Sequence, residues 1–130
     1  MTQDDLFEQT IARRFEAWRQ TRGGAHLLRH CYRIASGYVP RFKRTGRGVS
    51  QRLVWELLRY RLEWIKPGLQ KRGIEVTREN GFLLNDHFTA HAARHIVAHR
   101  PEWNGLFQLR EIGKVRKKRK VIIVEERIAA

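Results

Sequence analysis

The sequence contains little cysteine, little acid and no long apolar run. Cys31 is its single cysteine, which excludes an internal disulfide and a zinc site built from several cysteines. No apolar stretch approaches the roughly 18 residues of a membrane-spanning helix. The acidic N-terminus, MTQDDLFEQT, lacks the apolar segment of a secretory signal peptide. We therefore expect a protein of a reducing cytoplasm.

The scarcity of acid leaves a large positive charge. The chain carries 27 Lys and Arg against 13 Asp and Glu, a formal net charge of +14. Such an excess opposes compaction unless a polyanion offsets it, and nucleic acid is the common polyanion, with an anionic membrane surface second. The basic residues are concentrated in segment 41–48, on the outer face of a predicted helix over 51–65, and in segment 114–120. We expect a nucleic acid as partner, DNA more than RNA, and no membrane.

Apolar spacing predicts four helices. They span residues 4–20, 25–36, 51–65 and 86–100. The stripe of the first helix consists of Phe7, Ile11, Phe15 and Trp18. Gly23-Gly24 is expected to end this helix. The third helix begins after Ser50 and ends at Pro67-Gly68. The row of the third helix expected in the core consists of Leu53, Leu57, Tyr60 and Trp64, with Val54, Leu58 and Ile65 beside it.

Turn signals predict β-hairpins between and after the helices. Asn80-Gly81 indicates a hairpin over 73–84, and segments 106–109 and 121–124 form a second candidate pair of strands. The fold class is therefore α+β, mainly α, with about four helices and one or two short hairpins. A winged-helix-like variant is one form of it, by analogy. We place a single globular domain at 1–112 and a basic segment with a short strand at 113–130.

A run of histidines marks the last predicted helix, which Asn85 or Asp86 caps and Pro101 ends. Its four imidazoles recur at a spacing of four and spread over about 120° of one side. They are His87, His91, His95 and His99. Three interpretations fit this pattern. The imidazoles bind a metal ion, they contact nucleic acid, or some are partly buried and hydrogen-bonded while the rest are solvated. A second pair, His26 and His30, has the same spacing.

The sequence shows little sign of catalysis. It has no Gly-x-Ser-x-Gly motif and no Walker-type phosphate loop. No HExxH glutamate separates His87 from His91, and carboxylates that would hold a catalytic magnesium are sparse. Cys31 falls among apolar positions, so we expect a small core residue rather than a nucleophile. A binding protein without a cofactor is therefore favoured over an enzyme.

The basic loop 41–48 suits phosphate contacts, because its glycines let the backbone approach a ligand and Phe42 is placed to stack on a base. Recognition is expected from the exposed face of the histidine helix. The predicted nucleic-acid-binding residues are Arg41, Lys43, Arg44, Arg47, Arg52, His91, Arg94, His95, Lys114, Arg116, Lys117, Lys118, Arg119 and Lys120. The metal alternative would use His87, His91, His95 and His99.

Three segments carry a family pattern: FEAWRQ, RGVSQRLVWELLRYR and FLLNDHFTAHAARHIVAHRPEWNGLFQLREI. Over most of residues 15–112 the chain resembles a family of small phage and prophage proteins. The matching positions are Val54-Trp55-Glu56, Arg59, Leu84-Asn85, Ala93-Arg94, Pro101, Gly105, Phe107 and Arg110. The chain departs from the pattern at Asp86, where the family has a second Asn, and at His91, near a family Tyr. The resemblance implies a phage or prophage setting in a bacterial host cell and a helix-turn-helix-like DNA-binding role, without known catalytic residues.

The favoured function is non-catalytic nucleic-acid binding, regulatory or accessory to DNA metabolism. One alternative is a metal-dependent nuclease that uses the histidine helix. Another is a phage protein that inhibits a host nucleic-acid enzyme. Cleavage that a chelator abolishes would identify the nuclease, and a protein partner without nucleic acid would identify the inhibitor.

Overall fold

The structure is a computed structural model that describes residues 2–108 of the chain. The helices are α1 (Gln3–Gln20), α2 (Arg22–Ser36), α3 (Val39–Thr45), α4 (Gln51–Lys71) and α5 (Thr89–His99). Two 3-10 turns, Asp86–Phe88 and Pro101–Trp103, flank α5, and the short strands are β1 (Val49–Ser50) and β2 (Phe107–Gln108). The α+β, mainly α class is confirmed, and no helix within 2–108 has the length and apolarity to cross a membrane. The domain boundary predicted at 112, the basic run 114–120 and the strand 121–124 lie outside the described residues.

Helix α1 buries the stripe that its sequence predicts, except at the first position. Thr2 and Asp5 cap the helix reciprocally, each side chain accepting a hydrogen bond from the backbone amide of the other residue. Ile11, Phe15 and Trp18 are buried. Phe7 is 52% exposed, so its predicted place in the core is wrong. Its ring instead meets the exposed His87 ring edge-on, with the centroids 5.6 Å apart.

A single threonine ends α1 and begins α2. The Thr21 hydroxyl accepts a hydrogen bond from the Gly24 amide at 3.0 Å and donates one to the Trp18 carbonyl at 2.6 Å. The predicted stop at Gly23-Gly24 is therefore wrong, because both glycines lie in the first turn of α2. Neither position has room for a side chain, since backbone atoms from outside the turn lie too close. The Gly23 amide donates to the Asn80 carbonyl at 2.8 Å, which ties this turn to the loop before α5.

Helix α4 is longer than predicted. Ser50 caps it as expected, accepting a hydrogen bond from the Leu53 amide at 3.4 Å. The helix then continues through Pro67, where a stop was expected, to Lys71. Pro67 is exposed, so water can satisfy the carbonyl that loses its helical partner. Leu69, with 1% exposure, anchors the last turn in the core, and such burial contributes about 1.5–3 kcal/mol, enough to offset much of the proline's cost.

The side of α4 that enters the core differs from the predicted row. The buried side chains are Val54, Trp55, Leu58 and Leu69. Leu53, Tyr60 and Trp64 are 46%, 65% and 71% exposed, so their predicted place in the core is wrong. The predicted row recurs at steps of four, three and four, while Val54 and Leu58 of the adjoining row, also four apart, are buried. Contacts with other helices select between them, since Trp55 packs against Trp18 with ring centroids 6.0 Å apart.

The loops and strands also differ from the predicted hairpins. Segment 73–84 contains no strand, so the hairpin predicted there is wrong; its turn closes through a hydrogen bond from the Phe82 amide to the Thr77 carbonyl at 3.0 Å. Strand β2 forms where a strand was predicted, but it pairs in parallel with β1, with Phe107 opposite Val49. Residues 2–108 therefore hold no winged-helix hairpin. The predicted loop 41–48 is helical up to Thr45 because it belongs to α3.

Four aromatic side chains form the centre of the core, where α1, α4 and the turn before α5 meet. The Trp18 ring centroid lies 5.9 Å from that of Phe15, 6.0 Å from that of Trp55 and 5.5 Å from that of Phe88. On α2, Cys31 is 2% exposed, and burial raises the pKa of its thiol to about 12. Its predicted place among the core residues is confirmed.

Candidate nucleic-acid interface

Helix α5 carries His91, His95 and His99, and His87 lies in the 3-10 turn before it. Two of these four imidazoles face α1. The His91 ring stacks on Phe15 with centroids 5.6 Å apart, and the His95 ring meets the same side chain edge-on at 6.2 Å. These two histidines are half-buried, whereas His87 and His99 are exposed. Recognition was predicted from the exposed face of this helix through Arg94, His91 and His95; Arg94 is exposed, but the two histidines are not. Steps of four spread the imidazoles round the helix, and α1 covers the middle of that arc.

The environment of α5 favours neutral imidazoles. Burial is the main cause that lowers the pKa of His91 and of His95, with a smaller effect of Arg94 on the first and of His99 on the second. The His99 Nδ1–H donates to the His95 carbonyl at 2.9 Å. Residues 2–108 contain no group of three or more His, Cys, Asp or Glu side chains placed to hold a metal ion. The described part of the chain therefore adds no support to the metal hypothesis.

The basic side chains of segment 41–48 are exposed, but its aromatic ring is not. Arg41 donates from Nη2 to the Gly48 carbonyl at 2.9 Å. The other three basic residues, at the end of α3 and just beyond it, are Lys43, Arg44 and Arg47. Phe42 is half-buried and packs against the core, so the base stack expected from its ring is wrong. The basic side chains of the segment can still contact phosphates, but its aromatic ring is not placed to stack on a base.

The remaining predicted contacts are dispersed. Arg52 lies in the first turn of α4 and lines a cavity with Glu56 and Asp86. Arg94 lies on α5 and lines a different cavity, which includes Phe107. The structure therefore does not bring these two arginines into one site. The six predicted tail residues, Lys114, Arg116, Lys117, Lys118, Arg119 and Lys120, lie outside the described residues.

Helix α2 carries a basic stripe that the sequence-based prediction of site residues missed. No Asp or Glu occurs in residues 17–55. The stripe consists of Arg22, His26, Arg29, His30 and Arg33. Spacings of three and four place these side chains on one side of the helix, and the other side is buried in the core. The two imidazoles touch, with their Nε2 atoms 3.2 Å apart.

Helix α4 packs beside α2 and adds two arginines to this stripe. One cavity of about 240 Å³ is lined by Arg72, the residue that follows α4, together with α2 residues Arg22, His26 and Arg29. A second cavity, of about 430 Å³, is lined by Arg61 of α4 and Arg33 of α2. No Asp or Glu lines either cavity. We define the α2–α4 face as Arg22, His26, Arg29, His30, Arg33, Arg61 and Arg72.

Burial and the neighbouring arginines lower the pKa of both histidines of the α2–α4 face. Burial is the main cause that lowers the pKa of His30 to about 4, and His26, Arg33 and Arg61 lower it further. Burial also lowers the pKa of His26, with smaller effects of Arg29 and Arg72. No carboxylate among the described residues raises the pKa of either imidazole. The face is therefore a region of positive potential in which the imidazoles are neutral near pH 7.

The acidic side chains neutralise arginines elsewhere. Within residues 2–108, the salt bridges join Arg19 to Glu16, Arg59 to Glu56 and Asp86, and Arg100 to Glu102. None of these bridges includes an arginine of the α2–α4 face. Among residues 2–108, the five guanidinium groups of the face therefore have no carboxylate partner and can bind an external anion.

Comparison with known proteins adds no assignment. No protein-family model, curated protein or solved structure matches the chain. The resemblance to phage and prophage proteins, with the helix-turn-helix-like role that it implies, stays a prediction. The α2–α4 face is interpreted from its own chemistry.

The half-buried histidines predict that stability falls in acid. An unfolded imidazole has a pKa of about 6.5, whereas the folded pKa of His30 is about 4 and those of His26, His91 and His95 are also lowered. The unfolded chain therefore binds more protons between these values, so stability is present above about pH 6.5 and is lost as the pH falls toward 4.

We expect the free energy of unfolding to be lower by about 1 kcal/mol at pH 5 than at pH 7, a figure already reduced for the partial exposure of the rings. Chemical denaturation at both pH values measures this difference. His30→Gln should make it smaller, because glutamine does not titrate. Equal stability at the two pH values would contradict the assignment of His30 as a neutral, half-buried imidazole.

Proposed function

We propose that this chain is a nucleic-acid-binding protein that acts without catalysis, and that DNA is its favoured partner. The observation that carries the proposal is the α2–α4 face, which combines five guanidinium groups and two imidazoles without a carboxylate. Arginine suits phosphate because its planar fork donates two parallel hydrogen bonds. Arginines clustered on one side of a domain are the electrostatic signature of nucleic-acid binding.

The distribution of charge over the helices supports the same proposal. Helices α2 and α3 contain no acidic residue, while four of the ten acidic residues in 2–108 lie on α1. The positive charge is therefore concentrated on one part of the molecule rather than spread evenly. Arg44 and Arg47, at the end of α3 and just beyond it, provide further phosphate contacts in this proposal.

The test is a salt titration of binding to labelled duplex DNA, with a charge-matched pair of variants. Arg29→Gln with Arg33→Gln removes two cations from the α2–α4 face. Because each phosphate contact releases counterions, the slope of log K against log salt should become less steep by about 2. Affinity should fall by about 10- to 100-fold, the value of one to two charged hydrogen bonds.

The control is Arg13→Gln with Arg14→Gln, which removes the same charge from exposed positions on α1. This pair should change both the slope and the affinity much less. Equal losses in the two double variants would mean that net charge, rather than the α2–α4 face, controls binding. Failure of the unsubstituted chain to bind duplex DNA, single-stranded DNA or RNA would overturn the proposal.

A further inference from the structure

The α2–α4 face continues into a groove lined by aromatic side chains. The groove is the cavity of about 430 Å³ between α2 and α4, a size within the range of ligand-binding pockets. Its aromatic lining consists of Tyr38, Tyr60 and Trp64. Its cations are Arg33 and Arg61, which also belong to the α2–α4 face. We call it the aromatic groove.

Tyr38 also packs against the core, but the other two aromatic residues of the groove do not. Trp64 is 71% exposed and Tyr60 is 65% exposed, and their rings contact each other edge-on with centroids 6.3 Å apart. The core takes the opposite side of α4, through residues such as Trp55 and Leu58. The outer side of the helix therefore presents two large π surfaces to solvent beside two guanidinium groups.

We propose that the aromatic groove binds an unpaired base of single-stranded DNA, whose phosphates are held by the arginines of the α2–α4 face. This inference rests on the proposed function and specifies the form of nucleic acid. Every base has a π face that can stack on Tyr or Trp, and each such stack contributes about 1–3 kcal/mol. Arg33 and Arg61 belong to both the α2–α4 face and the aromatic groove. A DNA strand whose phosphates bind these two arginines would have its bases within reach of Trp64.

The chemistry of the groove favours this occupant over two others. In a duplex both faces of each base are covered by neighbouring bases, so Trp64 has no face to stack on unless a base leaves the helix. An RNA strand offers 2′-hydroxyl groups, which proteins use to distinguish it from DNA. Among residues 2–108 the lining holds no carboxylate and no side-chain amide, so the side-chain acceptors for such a hydroxyl are the oxygens of Tyr38 and Tyr60. The rings of these tyrosines serve the base in this proposal.

The first arm of the test measures affinity by fluorescence anisotropy with a labelled oligodeoxythymidine, a duplex DNA and an RNA of the oligodeoxythymidine's length. Trp64→Ala should weaken binding to the single-stranded DNA by about 5- to 150-fold, the fold-change that corresponds to one lost stack. Binding to the duplex and the slope of its salt dependence should not change. Trp64→Phe should recover most of the affinity, because phenylalanine keeps a π face.

The second arm uses the fluorescence of Trp64 itself. Trp18, Trp55 and Trp103 are at most 8% exposed, so Trp64 is the one tryptophan of the four that an added base can reach. Single-stranded DNA should quench part of the tryptophan emission, duplex DNA should quench little, and Trp64→Ala should abolish the quenching. Leu83→Ala removes an exposed apolar side chain outside the groove and should leave affinity and quenching unchanged.

The outcomes separate this inference from the proposed function. If the chain binds DNA but Trp64→Ala leaves single-strand affinity unchanged, the groove is not a base site, another occupant such as a protein is indicated, and nucleic-acid binding stands. Equal weakening of duplex and single-strand binding would also overturn the base site. RNA bound about tenfold or more tightly than the DNA would overturn the assignment to DNA. Absence of binding to all three nucleic acids would overturn both proposals.

Discussion

Trp55→Ala should lower the free energy of unfolding by about 3–5 kcal/mol, whereas Trp64→Ala, on the same helix, should lower it by about 0.5 kcal/mol or less. Trp55 is 2% exposed and packs against Trp18, so its removal leaves a cavity in the aromatic centre of the core. Trp64 is 71% exposed, and its removal leaves none. Because a domain of this size is stable by only about 5–15 kcal/mol, the first variant is expected to lose a large part of its stability.

Urea denaturation followed by far-ultraviolet circular dichroism measures both variants without depending on tryptophan emission. Trp55→Phe serves if the alanine variant does not fold. The Trp55 indole N–H has no hydrogen-bond partner among the described residues, so phenylalanine loses volume and no such bond, at an expected cost of about 1–3 kcal/mol. Similar losses at positions 55 and 64 would contradict the assignment of the two sides of α4. Because Trp64→Ala is expected to lower the free energy of unfolding only slightly, this variant can be used in the binding test.

The two sides of α4 show what periodicity determines and what it does not. The spacing correctly predicts a long helix that Ser50 caps. It does not select between the two apolar sets, because Leu53, Tyr60 and Trp64 repeat as regularly as the buried side chains do. The selection depends on which surface α1 and α2 cover, and that contact is not local in sequence. Because Tyr60 and Trp64 were assigned to the core, the candidate base-binding surface that they form was not predicted.

Part of the α2–α4 face could have been predicted. The absence of acid from residues 17–55 and the helical spacing of Arg22, Arg29 and Arg33 are both visible in the sequence. What was not accessible is the addition of Arg61 and Arg72, which requires that α4 pack beside α2. The histidine helix misled the prediction for the same reason. A repeat of four is a conspicuous pattern, but only the packing of Phe15 shows that His91 and His95 are half-buried.

The loop before α5 is a third case in which a correct local signal has a tertiary use. Asn80-Gly81 does form a turn, as its sequence indicates, and Gly81 has a φ of 88°. The turn does not join two strands. The Trp18 indole donates to the Gly81 carbonyl at 2.9 Å, and the Gly23 amide donates to the Asn80 carbonyl at 2.8 Å. These bonds hold the loop against the junction of α1 and α2, at the end of α2 where Arg22 begins the basic stripe.

Gly81→Ala should therefore lower the free energy of unfolding by about 2–5 kcal/mol. Part of this loss, about 1–2 kcal/mol, is the cost of a side chain at positive φ. The rest is steric, because a Cβ at position 81 would lie 1.9 Å from the Thr21 hydroxyl oxygen and 2.7 Å from the Thr21 Cβ. Such overpacking costs about 1–3 kcal/mol. It also displaces the residue that caps α2.

Gly73→Ala provides the matched control for this variant. Gly73 has a φ of 76°, and nothing lies within 4 Å of the position its Cβ would take. It should lose only the backbone part, about 1–2 kcal/mol. Urea denaturation of both variants gives the difference, which isolates the steric contact with Thr21. Equal losses would show that the loop does not pack against the α1–α2 junction, and the position of Arg22 on the α2–α4 face would then lose its structural support.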